Sequence, residues 1–201
     1  MDSTLGHFRK NDPVLYGYAL RVGNLAPIAK ERPQRYFYRL CREIIGQQLH
    51  GQAAHTIFDR FQKLLPYNVI SPRKVLVLSH RALRRTGMSH AKARYIRNLA
   101  EQVASKKIQI QRLDAMADEE AIAELTKVKG IGRWTAEMFL IFALGRSDIF
   151  SYGDLALKKG MRKIYKLRKE PSQKLAEQIT RKWSPYKTYA SRILWASLKI
   201  E

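Results

Sequence analysis

Apolar side chains return every three or four positions through most of this 201-residue chain, and nowhere do they alternate for long enough to mark a confident strand. The pattern predicts an all-α fold. Phe37, Leu40, Cys41, Ile44 and Ile45 share one helical face, Tyr189, Ile193, Ala196 and Ile200 share another, and Met138 to Leu144 forms the longest apolar run. Helix starts are marked by Asp12-Pro13, Ser71-Pro72, Ser79, Ser89, Ser172 and Ser184-Pro185, where a side-chain oxygen or a proline suits the first turn. Two helical subdomains are expected: an inserted bundle over 35–145, and a second unit made from 1–34 and 146–201.

One junction carries chemistry. An acidic-start helix, Asp118 to Leu125, runs through Gly130-Ile131-Gly132 into a strongly apolar helix, Trp134 to Leu144, which reads as a helix-hairpin-helix over 118–144. Two glycines so close together let the backbone turn tightly and approach a ligand, and the new helix offers unpaired N–H groups at the positive end of its dipole. Phosphate suits such an end, and Lys127, Lys129 and Arg133 add cations around it. The plainer reading is a helix connection with glycine as its C-cap. Further on, Asp154 follows the breaker Ser151-Tyr152-Gly153 and heads another helical pattern. It reads both as an N-cap and as a carboxylate kept charged by the helix end, and the two roles are compatible. Asp148 reads as a loop residue.

Charge narrows the partner. With 38 Lys and Arg against 17 Asp and Glu, the formal net charge is +21, and a chain that is 45% hydrophobic is not a disordered basic tail. Nucleic acid is the first partner to expect. Cys41 stands alone on an apolar face, so a disulfide framework and a four-cysteine iron–sulfur cluster are both excluded. The five histidines form no close pair with a third ligand, so a zinc site is not expected; no cofactor is expected to be required. No signal peptide is apparent, and Met138 to Leu144 falls far short of the ~20 apolar residues that span a bilayer. The expectation is a monomer without a membrane partner, intracellular, in the cytoplasm or nucleoid of a prokaryote or the nucleus of a eukaryote.

Val128-Lys129-Gly130-Ile131-Gly132-Arg133-Trp134-Thr135-Ala136 resembles the hairpin of the helix-hairpin-helix-GPD superfamily of DNA glycosylases, and most closely its 3-methyladenine DNA glycosylase II (AlkA-like) branch. That family reads close to Leu-Pro-Gly-Ile-Gly-Arg-Trp-Thr-Ala there, so Val128-Lys129 makes the loop less rigid and adds a charge. The resemblance extends to Ile44-Ile45-Gly46-Gln47-Gln48-Leu49, which is similar to the family's first minor-groove segment, and to Gly87 through Ile96, which is similar to the second. Trp183 through Ala190, with Trp195 beyond, is similar to the closing helix, and the likeness runs from about Asp12 to Leu198. It implies an active cleft between the two subdomains with Asp154 inside.

The resemblance implies a monofunctional glycosylase that flips alkylated purines out of double-stranded DNA and hydrolyses the base–sugar bond in base excision repair. Asp154 would be its catalytic carboxylate, because cleavage leaves positive charge on the sugar. Trp134 stands where relatives that also cut the backbone keep a Schiff-base lysine, so no lyase activity is expected. Trp134 and Trp195 are candidate walls of the base pocket, with Tyr152 a further candidate; core packing is the competing reading for Trp195. Leu155 replaces the family's usual tyrosine after the aspartate. Gln48 and Leu49, flanked by Gln47 and His50, are candidates for the plug that fills the gap, and Met88 for a wedge on the opposite strand. Two other readings stay open: a superfamily member acting on oxidised or mismatched bases, and a DNA- or RNA-binding module without catalysis.

Overall fold

The structure is a computed structural model and describes residues 2–49 and 51–200, with only the backbone at Asp2. Among the described residues there are twelve α-helices, three short 3-10 helices and no strand. The chain divides into two units, one holding residues up to Ala29 and from Gly145 onward, the other Lys30–Leu144.

The Lys30–Leu144 unit holds α3 (Tyr36–Gly46), α4 (Gly51–Lys63), α5 (Pro72–Leu76), α6 (His80–Arg85), α7 (His90–Ala104), α8 (Asp118–Thr126) and α9 (Arg133–Phe142). Helix α3 packs against α4, α7 and α9, and buries Phe37, Leu40, Cys41, Ile44 and Ile45. Cys41 lies inside this core, where burial pushes its thiol well above the ordinary cysteine value. Helix α9 is buried on nearly every side after its first turn, which explains its almost wholly apolar sequence. Ser79 and Ser89 accept from Ala82 N and Lys92 N at 3.1 and 3.2 Å and so cap α6 and α7. Ser71 precedes α5 as expected, but its side chain makes no cap bond.

The other unit holds α1 (Asp2–Asn11), α2 (Pro13–Val22), α10 (Leu155–Ile164), α11 (Gln173–Arg181) and α12 (Lys187–Ser197). Phe8, Leu15, Leu157, Met161, Trp183, Ile193 and Leu194 form its core. Asp12 caps α2, and it does more than its local sequence suggests. Its Oδ1 accepts from Leu15 N at 3.1 Å, while Oδ2 accepts from Tyr165 OH at 2.5 Å, Trp183 Nε1 at 2.7 Å and Lys182 Nζ at 3.1 Å. Burial alone pushes this carboxyl up, but the tyrosine, tryptophan, backbone and lysine donors together hold it below the ordinary carboxylate range. One buried aspartate therefore ties the α1–α2 junction to the ends of α10 and α11.

The expected start of the last helix is corrected. Helix α12 opens at Lys187 with Tyr186 at its N-cap, and its first turn is held from afar: Asp148 accepts from Lys187 N at 3.2 Å and from Ser184 Oγ at 2.8 Å. Ser147 O accepts from Thr188 N at 2.9 Å. Its buried stripe also shifts by one position, to Ala190, Ile193, Leu194 and Ser197, leaving Tyr189 and Ala196 only half-buried.

Candidate active site and nucleic-acid interface

The hairpin joins α8 to α9 through Lys127–Gly132, pinned by the buried side chains of Val128 and Ile131. Its two glycines answer different demands. Gly130 has φ +99°, and a Cβ there would stand 2.2 Å from Cγ of Tyr95, so backbone and space both require glycine. Gly132 is extended at φ −87° and caps α9; a Cβ there meets nothing within 4 Å, so neither backbone nor space demands glycine at this position.

A frame of side chains from α3 and α7 holds this turn. Gln47 Nε2 donates to Gly130 O at 2.9 Å and to Thr135 Oγ1 at 3.0 Å. Lys92 Nζ donates to the carbonyls of Ile45 and Gln47 at 2.8 and 2.6 Å, placing a cation on the negative end of α3. Desolvation lowers the pKa of Lys92. Asn98 Oδ1 accepts from Lys129 N at 3.3 Å. Gln47 is thus a strut between the end of α3 and the hairpin. Lys92, Tyr95 and Asn98 complete the frame, and no local sequence signal marks them for it.

The cations are not equivalent. Arg133 is committed within the protein, with Nη2 and Nη1 on Glu119 at 2.5 and 2.9 Å and Nε on the buried Glu137 at 2.9 Å. The hydrogen bond from Arg133 holds Glu119 below the ordinary carboxylate range. These bonds lock the start of α9 to α8, while the Arg133 side chain stays 56% exposed. Lys127 pairs with Glu124, and both Lys127 and Lys129 are exposed.

In the segment after α3, Gln48 is exposed and adopts a left-handed backbone at φ +56°, while Leu49 is half-buried. A non-glycine residue held there stores roughly 1–3 kcal/mol of strain. His50 lies outside the described residues. Met88 is wholly buried, with the Arg84 guanidinium on its carbonyl, so its candidacy as a wedge is corrected to a core side chain.

Asp154 sits in the other unit, as the N-cap of α10. Its Oδ1 accepts from Leu157 N at 2.8 Å and from Trp195 Nε1 at 3.4 Å, and the residue is only 7% exposed. The approach of α12 to α10 that allows the second bond depends on Gly160, where a Cβ would stand 2.9 Å from Leu194 O. Tyr152 is half-buried, its hydroxyl 2.9 Å from Thr180 Oγ1 and its ring edge-on to Phe150 at 4.9 Å. Leu155 is 64% exposed beside the carboxylate, and Trp134, in the first turn of α9, is 41% exposed. Among the described residues no group of three or more His, Cys, Asp or Glu side chains is arranged to hold a metal ion, and no helix is long and apolar enough to cross a membrane.

A glycine hairpin opening a buried helix, and an aspartate capping another helix under an indole N–H, are the features expected of the helix-hairpin-helix class. The family model described as HhH-GPD superfamily base excision DNA repair protein matches residues 41–185, and the chain belongs to that family. It is 32% identical over 181 residues to DNA-3-methyladenine glycosylase 1 of Schizosaccharomyces pombe, covering 89% of this chain and 79% of the relative. The solved structure of a 3-methyladenine DNA glycosylase from the same yeast, in complex with abasic DNA, matches with a TM-score of 0.85 at 30% identity, over 98% of this chain and 97% of that one. The DNA-3-methyladenine glycosidase of Bacillus halodurans matches with a TM-score of 0.85 at 32% identity, over 98% and 89%.

Proposed function

We propose that this protein is a monofunctional DNA glycosylase that removes N-alkylated purines such as 3-methyladenine from duplex DNA. The observation that carries this reading is Asp154, a nearly buried carboxylate fixed by Leu157 N and Trp195 Nε1, in a chain whose relatives are named as 3-methyladenine glycosylases. As the base–sugar bond breaks, positive charge builds on the deoxyribose ring. A carboxylate about 4 Å away contributes roughly 4 kcal/mol at an effective dielectric near 20. Asp154 also orients the attacking water. An alkylated purine is already cationic, so it departs without a strong general acid, which fits a site built around a single carboxylate.

The N-terminus of α9, preceded by the exposed Lys129, binds backbone phosphate. Gln48 and Leu49 fill the gap left by the everted base; Gln48 is exposed on a left-handed backbone. Trp195, whose indole N–H reaches Asp154, walls the base pocket, where an electron-rich ring favours a cationic purine by roughly 0.5–2 kcal/mol, with Tyr152 a further lining residue. The indole of Trp134 stands where lyase relatives keep an amine, so the reaction stops at an abasic strand. The reaction needs neither cofactor nor iron–sulfur cluster, and the protein acts as a monomer inside the cell.

Incubation with methylated duplex DNA tests the reading. Release of free 3-methyladenine with an intact abasic strand is expected; tight DNA binding with no base released would leave only a binding module, and selective release of oxidised or mismatched bases would move the chain to another branch.

A further inference from the structure

A cavity of about 320 Å³ lies wholly within the unit that carries Asp154, yet none of Asp154, Trp195 and Tyr152 lines it. Its apolar walls come from the extended segment after α2, through Leu25, Pro27 and Ile28, and its aromatic walls from Tyr186 and Tyr189 at the start of α12. Arg192 supplies charge, as does Arg146, which has an interaction of its own, and among the described residues no lining side chain carries a carboxyl group. Arg192 is half-buried, and desolvation lowers its pKa from the ordinary arginine value. Its Nη2 donates to the Ala26 carbonyl at 2.5 Å, which engages one of its five N–H donors with a neutral acceptor. Such a guanidinium favours an anionic, forked acceptor, for which phosphate has the right geometry. The apolar and tyrosine walls call for a flat ring on the same ligand, and the volume falls in the range of small-molecule pockets.

We propose that this cavity is a second ligand site, which takes a nucleoside phosphate with the phosphate on Arg192 and Arg146 and the base against Tyr186 and Tyr189. The site is independent of the catalytic reading above. Calorimetric titration of the full chain with dAMP tests it. Saturable one-to-one binding is expected, weaker by about tenfold or more for adenosine or for inorganic phosphate, since each lacks half of the recognised chemistry. Arg192→Gln weakens dAMP binding by about tenfold or more, and Arg192→Lys, which keeps the charge but loses the fork, weakens it less. Thermal melts of both variants report whether the Ala26 contact also carries the fold, and Arg146→Gln repeats the test without touching that contact.

Arg73→Gln, which removes an exposed charge in the other unit, controls for attraction to a basic surface. Duplex DNA tells two sources of the ligand apart: displacement of dAMP assigns the cavity to a nucleotide of the bound strand, undisturbed dAMP to a free mononucleotide, and either supports a nucleotide site. The proposal is overturned by absence of saturable dAMP binding, by equal affinity for adenosine, or by equal losses in Arg73→Gln and Arg192→Gln. Loss of dAMP binding in Asp154→Asn also overturns it, because the nucleotide would then sit at the catalytic carboxylate.

Discussion

Alanine placed at each hairpin glycine in turn separates a structural demand from a binding demand. At Gly130 the new methyl stands 2.2 Å from Cγ and 2.4 Å from Cδ2 of Tyr95, on a backbone at φ +99°. The left-handed conformation costs a side chain about 1–2 kcal/mol, and moving a packed ring costs about 1–3 kcal/mol more. A total of about 2–5 kcal/mol lowers the melting temperature of a chain this size by roughly 4–20 °C. At Gly132 the backbone is extended and the space is open, so Gly132→Ala changes stability by less than about 1 kcal/mol. The methyl there nevertheless crowds a phosphate approaching the start of α9. Weakening one charge-assisted bond of about 1.5–3 kcal/mol lowers DNA affinity by roughly tenfold or more. Circular dichroism melts paired with fluorescence anisotropy on an abasic-analogue duplex read both effects. A Gly130→Ala protein that melts within a degree of wild type, or a Gly132→Ala protein that is the less stable of the two, would contradict the Tyr95 clash.

Asp12→Asn removes a buried carboxylate with several donors, and urea unfolding at neutral pH is expected to show a loss of about 2–3 kcal/mol. Because this carboxyl is held below the ordinary range, its contribution is complete above about pH 4 and fades as pH falls through the depressed folded value. The gap between wild type and variant therefore closes toward strong acid, and a gap constant with pH contradicts the assignment. Borohydride added during turnover is expected to trap no covalent complex, since Trp134 offers no amine; efficient trapping that disappears on changing one lysine reverses that expectation. The logarithm of DNA affinity, measured by anisotropy, should fall linearly and steeply with the logarithm of salt concentration, and a flat dependence rules out phosphate neutralisation as the main source of binding.

Periodicity gave the helical class because burial here is one-sided for most helices, and one-sided burial leaves a period of three to four in the residues themselves. The hairpin was legible for a related reason: glycines, an acidic first turn and an apolar run are local signals. Asp154 was legible as a cap, and its cap bond to Leu157 N is local too. What stayed hidden is long-range. Nothing near Asp148 announces that it caps α12, and nothing near Asp12 announces Tyr165 and Trp183. Sequence shows the charge of Arg133 but not the carboxylates of Glu119 and Glu137 that engage it. Met88 was a candidate wedge through the resemblance of Gly87 to Ile96 to a minor-groove segment, whereas its side chain is wholly buried in the core. Gln47 belonged to a recognised segment, yet its contact with the Gly130 carbonyl depends on how α3 meets the hairpin in space.

The central claim rests on Asp154, and Asp154→Asn tests it most directly because asparagine caps helices as well as aspartate does and keeps an acceptor for Leu157 N and Trp195 Nε1. Stability is therefore expected to change by less than about 1 kcal/mol, while the lost charge removes roughly 4 kcal/mol of transition-state stabilisation. Single-turnover release of 3-methyladenine from methylated duplex DNA should slow by about a thousandfold, with affinity for the same duplex nearly unchanged. Release at the wild-type rate by a fully folded Asp154→Asn protein would show that another group carries the chemistry.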